Sequence, residues 1–184
     1  MVDVKAPLEG YRVLDLGRQQ AGPRCAQVLA RLGAEVIKVE RLGGEETRYS
    51  QPWVGKQSAY WVQYNSGKKS LSIDLRTEKG KEVLRELVKV SDVLLQNFRP
   101  GTIENMGFGY EVLKHLNPKI VMVNVSAYGQ FGPYAERIGW TPLARRSPAS
   151  PIPPAPGTCR PSAPGCPSLT APPPYTPPSA PWPR

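Results

Sequence analysis

The segment GRQQAGPR, Gly17 to Arg24, gathers two guanidinium groups and two carboxamides beside a pair of glycines. Placed where a strand hands over to a helix, such a loop could receive a phosphate or a developing oxyanion on the helix's first N–H groups, with Arg18 and Arg24 adding charge. A merely solvated surface loop reads equally well from the same residues. Two phosphate loops are excluded. Gly17 and Gly22 have Walker spacing, but Pro23 and Arg24 stand where Lys and Ser or Thr belong, and no G-x-G-x-x-G occurs here. His115 is the only histidine, which argues against a Ser-His-Asp triad, an H-E-x-x-H zinc site or any histidine-rich metal centre. Cys25 reads as a core thiol, and with Cys159 and Cys166 far off no disulfide or zinc framework is indicated.

The elements that must position this loop follow from periodicity. Val13, Leu14 and Leu16 form a short apolar run ending at Gly17. Cys25, Val28, Leu29 and Leu32 then recur at helical spacing, and Val36, Ile37 and Val39 resume a strand. Pro23 suits a first helical turn and Gly33 a left-handed cap. The loop thus opens at the carboxyl edge of a parallel sheet, where ligands of open α/β folds bind. Farther on, Tyr60 and Trp61 read as core, and Leu71, Ile73 and Leu75 alternate as a half-buried strand. Thr77 caps a helix striped by Val83, Leu84, Leu87 and Val88. Val93 to Leu95 form a further buried strand and Ile120 to Val125 a last one, and the loop Gln96 to Gly101 opens at the same edge as the first. Strand and helix alternate throughout, which predicts a doubly wound α/β sheet.

The 184 residues fall into two unlike pieces: 16 of the 22 prolines lie in 141–184, whereas all 15 acidic residues lie at or before Glu136. The formal charge of +9 overstates the folded part, because Arg145, Arg146, Arg160 and Arg184 belong to the second piece. The modest basic surplus of the first piece is spread out. It suits a polyanionic small molecule rather than nucleic acid, which calls for a clustered basic face. The start MVDVKAPLEG has no apolar signal core, and no run approaches bilayer length, so a cytoplasmic, non-membrane protein is expected.

PLEGYRVLDL, QQAGPRCAQVLARLGAEVIKVER, NSGKKSLSIDL, SDVLLQNFRPGTIENMGFGYEVL and NPKIVMVNVSAYGQFGPY together resemble the amino-terminal part of the family III CoA-transferases, the CaiB/BaiF family of formyl-CoA and carnitine CoA-transferase relatives. The resemblance runs from about Pro7 to Trp140 and implies an incomplete Rossmann-like large domain, a parallel sheet with flanking helices. It also implies an interlocked homodimer and acyl-CoA and a carboxylic acid as substrates, with no permanently bound cofactor and no metal. Such enzymes transfer CoA through an aspartate that forms first a mixed anhydride and then a thioester, which is carboxylate nucleophilic catalysis. By position, Gln20 and Ala21 would lie at the reacting carbonyl. Arg41, Ile73, Arg76, Asn97, Phe98 and Met106 would line the CoA site, with Arg137 a candidate for its phosphates. The related acyl-CoA racemases use a histidine directly after a glycine beyond the segment here reading Tyr128 to Pro133. Trp140 follows Gly139 instead, so the transferase is favoured.

Residues 141–184 contain no Asp or Glu, so the catalytic carboxylate is absent from them. Their Pro, Ala, Arg, Ser, Gly and Thr mixture has no amphipathic period and predicts a disordered or polyproline-like tail. It is also what GC-rich DNA encodes out of register, which predicts a frameshift near Thr141. A Leu169 codon ending in G would restore GAC, an aspartate codon, across the Leu169/Thr170 boundary. The remaining reading is a non-catalytic nucleotide-binding fragment or a proline-rich interaction protein that recruits partners through segments such as Pro172 to Pro174.

Overall fold

The computed structural model describes residues 5–137. Five parallel strands form one sheet: β1 (Arg12–Asp15), β2 (Glu35–Glu40), β5 (Lys69–Ser72), β6 (Val93–Gln96) and β7 (Val121–Asn124), in the order β5-β2-β1-β6-β7. A small antiparallel hairpin, β3 (Trp53–Val54) with β4 (Gln57–Ser58), stands apart from it. The helices are α1 (Ala21–Arg31), α2 (Ala59–Asn65), α3 (Glu78–Lys89), α4 (Thr102–Asn105) and α5 (Tyr110–Leu116). The expected boundary at residue 140 and the proline-rich 141–184 lie outside the described residues.

The apolar runs follow from burial on both faces. Neighbouring strand residues point to opposite sides of a sheet. Leu14 and Leu94 therefore join one core cluster with Leu84, Val88, Ile103, Phe108 and Leu113 from α3, α4, α5 and the α4–α5 loop. Val13, Val36 and Leu95 join another, with Ala26 of α1. In register, Leu14 pairs with Leu94 and Ile37, so β1 is central and covered on either side.

Three expectations are corrected. The buried face of α1 is Gly22, Pro23, Ala26 and Gln27, whereas Val28 is 45% exposed and Leu32 also faces outward. Close approach to the sheet selects the small residues, and Gln27 is buried because its amide donates to Gln63 O and Ser66 Oγ of the α2 segment, both at 2.8 Å. Cys25 is half-buried beside this face, and burial pushes its thiol pKa up. β5 ends at Ser72, so Ile73 and Leu75 pack on the core from the following loop rather than from a strand. Tyr60 and Trp61 are only half-buried, and the Arg48 guanidinium lies 3.8 Å over the Trp61 ring. Thr77 caps α3 as expected, its hydroxyl accepting from Gly80 N–H at 3.1 Å, and Gly33 closes α1 at φ 100°.

Candidate functional site

β1 and β6 are neighbours, but the chain leaves them for opposite flanks of the sheet, β1 toward β2 and β6 toward β7. Such a parting of connections opens a crevice at the carboxyl edge. Here the two rim loops are stitched together. Asn97 Oδ1 accepts from Arg18 N–H at 2.7 Å while its Nδ2 donates to Arg18 O at 2.8 Å. Gly17 and Gly22 abut: a Cβ on Gly17 would stand 2.9 Å from Gly22 Cα and 2.8 Å from Asp15 Oδ1, so the contact excludes side chains. Between them Gln19 adopts φ 64°, alone among the described non-glycine residues. That conformation costs about 1 kcal/mol, and it is held by the Gln19 N–H donating to Glu45 Oε1 at 2.6 Å. Gln20 then caps α1 without a side-chain hydrogen bond, and no acidic residue stands in the helix's first turn. The positive end of α1 therefore carries neither a side-chain cap nor an acidic counter-charge of its own first turn.

Beneath the loop lies a buried charge network that sequence reasoning missed. Lys38 on β2 is 1% exposed. Its ammonium donates to Gly17 O and sits 3.0 Å from Glu45 Oε2 and 3.8 Å from Asp15 Oδ2. The Glu45 contact is ionic, since Oε2 has no hydrogen bond. Lys68 donates to Asp15 Oδ2 at 2.7 Å, to Pro23 O at 2.8 Å and to Asn65 Oδ1 at 2.9 Å. Burial pulls the Lys68 ammonium pKa down despite the Asp15 charge. Glu40 accepts two hydrogen bonds from Arg48, one from Ser70 and one from Glu45 N–H. Burial works to raise its pKa, and these donors outweigh it and hold the carboxyl below its ordinary value. A signal for the network existed: Lys38 and Glu40 sit inside β2, beside the buried β1, so charges on that strand needed partners within the fold.

Above the network a cleft of about 410 Å³ opens beside the loops. Leu16, Val39 and Leu75 give it an apolar floor, and Arg18, Arg41, Asp74 and Arg76 bring charge to its lining. Of the residues expected at a CoA site, Arg41, Ile73, Arg76, Phe98 and Met106 line this one cleft. Gln20 and Asn97 stand on the adjoining loops instead and Ala21 begins α1, with the Asn97 amide spent on the Arg18 backbone. Arg137 is not among the lining residues, and its guanidinium stacks 4.3 Å over the Tyr134 ring. Arg41 Nε donates to Gly44 O at 2.9 Å, and its Nη2 lies 3.5 Å from Glu46 Oε1, the oxygen that also pairs with Arg18. The Arg18 hydrogen bond, assisted by the Arg41 charge, holds the Glu46 carboxyl below its usual range. The described residues hold no group of three His, Cys, Asp or Glu suited to a metal, and none of their helices is long and apolar enough to cross a membrane.

Residues 8–147 match the family described as CoA-transferase family III. The chain is 43% identical over 140 residues to succinyl-CoA:glutarate CoA-transferase of Homo sapiens, covering 75% of this chain and 32% of that protein. It is 46% identical over 136 residues to succinyl-CoA–D-citramalate CoA-transferase of Chloroflexus aurantiacus, covering 73% and 34%. The crystal structure of a CAIB/BAIF family protein from Brucella suis superposes with a TM-score of 0.70 at 42% identity, covering 74% of this chain and 38% of that one. The chain therefore spans about a third of the length of these curated relatives.

Proposed function

The chain belongs to CoA-transferase family III, and from that premise we propose that it carries the CoA-binding part of an acyl-CoA:carboxylate CoA-transferase. The observation that carries this reading is the convergence of Arg41, Ile73, Arg76, Phe98 and Met106 on one cleft at the carboxyl edge of the sheet. Guanidinium groups at its mouth suit the phosphates of CoA, and the Phe98, Met106 and Ile73 surfaces suit its apolar and aromatic parts. The adjoining Gly17 to Ala21 loop, with the uncapped start of α1, would meet the thioester carbonyl and stabilise the oxyanion formed on attack. Arg137 would join the phosphates only if its stack on Tyr134 opens.

The attacking carboxylate is proposed to lie outside this polypeptide, because residues 141–184 contain no Asp or Glu, as a shifted reading frame there would explain. The chain as written then binds CoA without transferring it, and its intact counterpart acts as an interlocked homodimer in the cytoplasm. Calorimetry with CoA and isotopic exchange between an acyl-CoA and an acid test both halves. Binding without exchange is the expected result. Absence of CoA binding would remove the cleft from the reading, and exchange by the purified 184-residue chain would refute the missing nucleophile.

A further inference from the structure

We propose that Arg18 and Arg41 form an anion subsite at the mouth of the cleft, which the Glu46 carboxylate occupies until a phosphate of CoA displaces it. The proposal rests on the CoA reading of the cleft. Both arginines line the cleft, and they come from different connections: Arg18 follows β1 and Arg41 follows β2. Two like charges converge here because one carboxylate oxygen, Glu46 Oε1, serves both. Each is held from behind, the Arg18 peptide by the Asn97 side-chain amide and the Arg41 Nε by donating to Gly44 O.

Glu46 fills this position poorly. Its contact with Arg41 is a loose 3.5 Å, and its other oxygen, Oε2, is buried without a hydrogen bond. A phosphate group brings more acceptor oxygens and more charge, and could meet each guanidinium separately. The paired side chains are all more than a third exposed, so exchanging Glu46 for an incoming anion breaks only solvent-screened contacts. Glu46 thus keeps the two arginines together in the empty cleft while competing with the ligand for them.

Calorimetric titration of CoA into the wild-type chain, Glu46→Gln and Glu46→Asp tests this. Glu46→Gln is expected to tighten CoA about threefold to tenfold, the scale of two exposed ion pairs removed as competitors. Glu46→Asp, whose carboxylate falls short of Arg41, should tighten it less. In an Arg18→Gln background, where only the Arg41 pair remains to compete, the gain from Glu46→Gln should shrink, and an undiminished gain would overturn the subsite. Wild-type binding with equal or weaker binding by Glu46→Gln would overturn the subsite and leave the cleft reading intact. No CoA binding by either protein would overturn both. If circular dichroism finds Glu46→Gln unfolded, unchanged or weaker affinity in folded Glu46→Asp overturns the subsite on its own.

Discussion

Arg41 and Asp15 set the two extremes of what a charge does in this molecule. The Arg41 side chain is 60% exposed and loosely paired, so its worth is screened by water. Arg41→Ala is expected to weaken CoA by about 1 kcal/mol, read by calorimetry, and unchanged affinity would take it out of the site. Asp15 is wholly buried and faces both Lys38 and Lys68. Asp15→Asn would leave Lys68 without a paired carboxylate and Lys38 with Glu45 alone, and the expected cost is about 3 to 5 kcal/mol in urea unfolding. A loss under 1 kcal/mol would mean that the lysines find other partners. The cleft residues were legible in the sequence through family resemblance, since Arg41 and Arg76 look like ordinary loop arginines by themselves. Beyond the charges Lys38 and Glu40 within a strand, the buried network was not legible, because no local spacing links Asp15 to Lys68 across 53 residues. Only the parallel register of β1, β2 and β5 brings them together.

At the scale of elements, strand and helix alternation was readable because β1, β6 and β7 carry short apolar runs and α3 carries a stripe of Leu84, Leu87 and Val88. The expected Val83 drops out of that stripe at 44% exposure because it turns away from the sheet. The rotated face of α1 was not, because close packing chose Gly22 and Ala26 over the larger Val28, and apolar periodicity counts size in the wrong direction there. The connection after β2 also hid its anchor. Glu40 joins β2 to Ser70 of β5, to Arg48 of the 3₁₀ turn Glu46–Tyr49, and to the backbone of Glu45. Its folded-state pKa is lowered, so the stability it contributes is complete above the ordinary glutamate value, about 4.3, and is lost as pH falls through the lower folded value. Glu40→Gln is expected to cost about 1.5 to 3 kcal/mol at neutral pH and to flatten the acid limb of stability against pH. An acid limb identical to wild type would place that sensitivity in other carboxylates.

For the whole molecule, the two edges of the sheet differ in a way that fixes its behaviour in solution. β5 ends the sheet with exposed Lys69, Ser70 and Ser72, a polar and charged edge that resists pairing with another chain. β7 ends it among the described residues with Val121, Met122 and Val123, and Val121 is 55% exposed. Near it in sequence, Tyr110 and Val112 of α5 are nearly half exposed and Phe131 is 88% exposed. An apolar edge strand with exposed apolar neighbours is a template for self-association. The purified chain is therefore expected to form oligomers or aggregates whose size grows with concentration, measured by light scattering after size exclusion. Val121→Lys should reduce that growth by placing a charge on the open edge, whereas Lys69→Gln on the opposite edge, which stays polar, should leave it unchanged. Equal self-association of wild type and Val121→Lys would move the contact away from β7. A monodisperse wild-type monomer with one sharp thermal transition would show that the edge is satisfied within the chain itself.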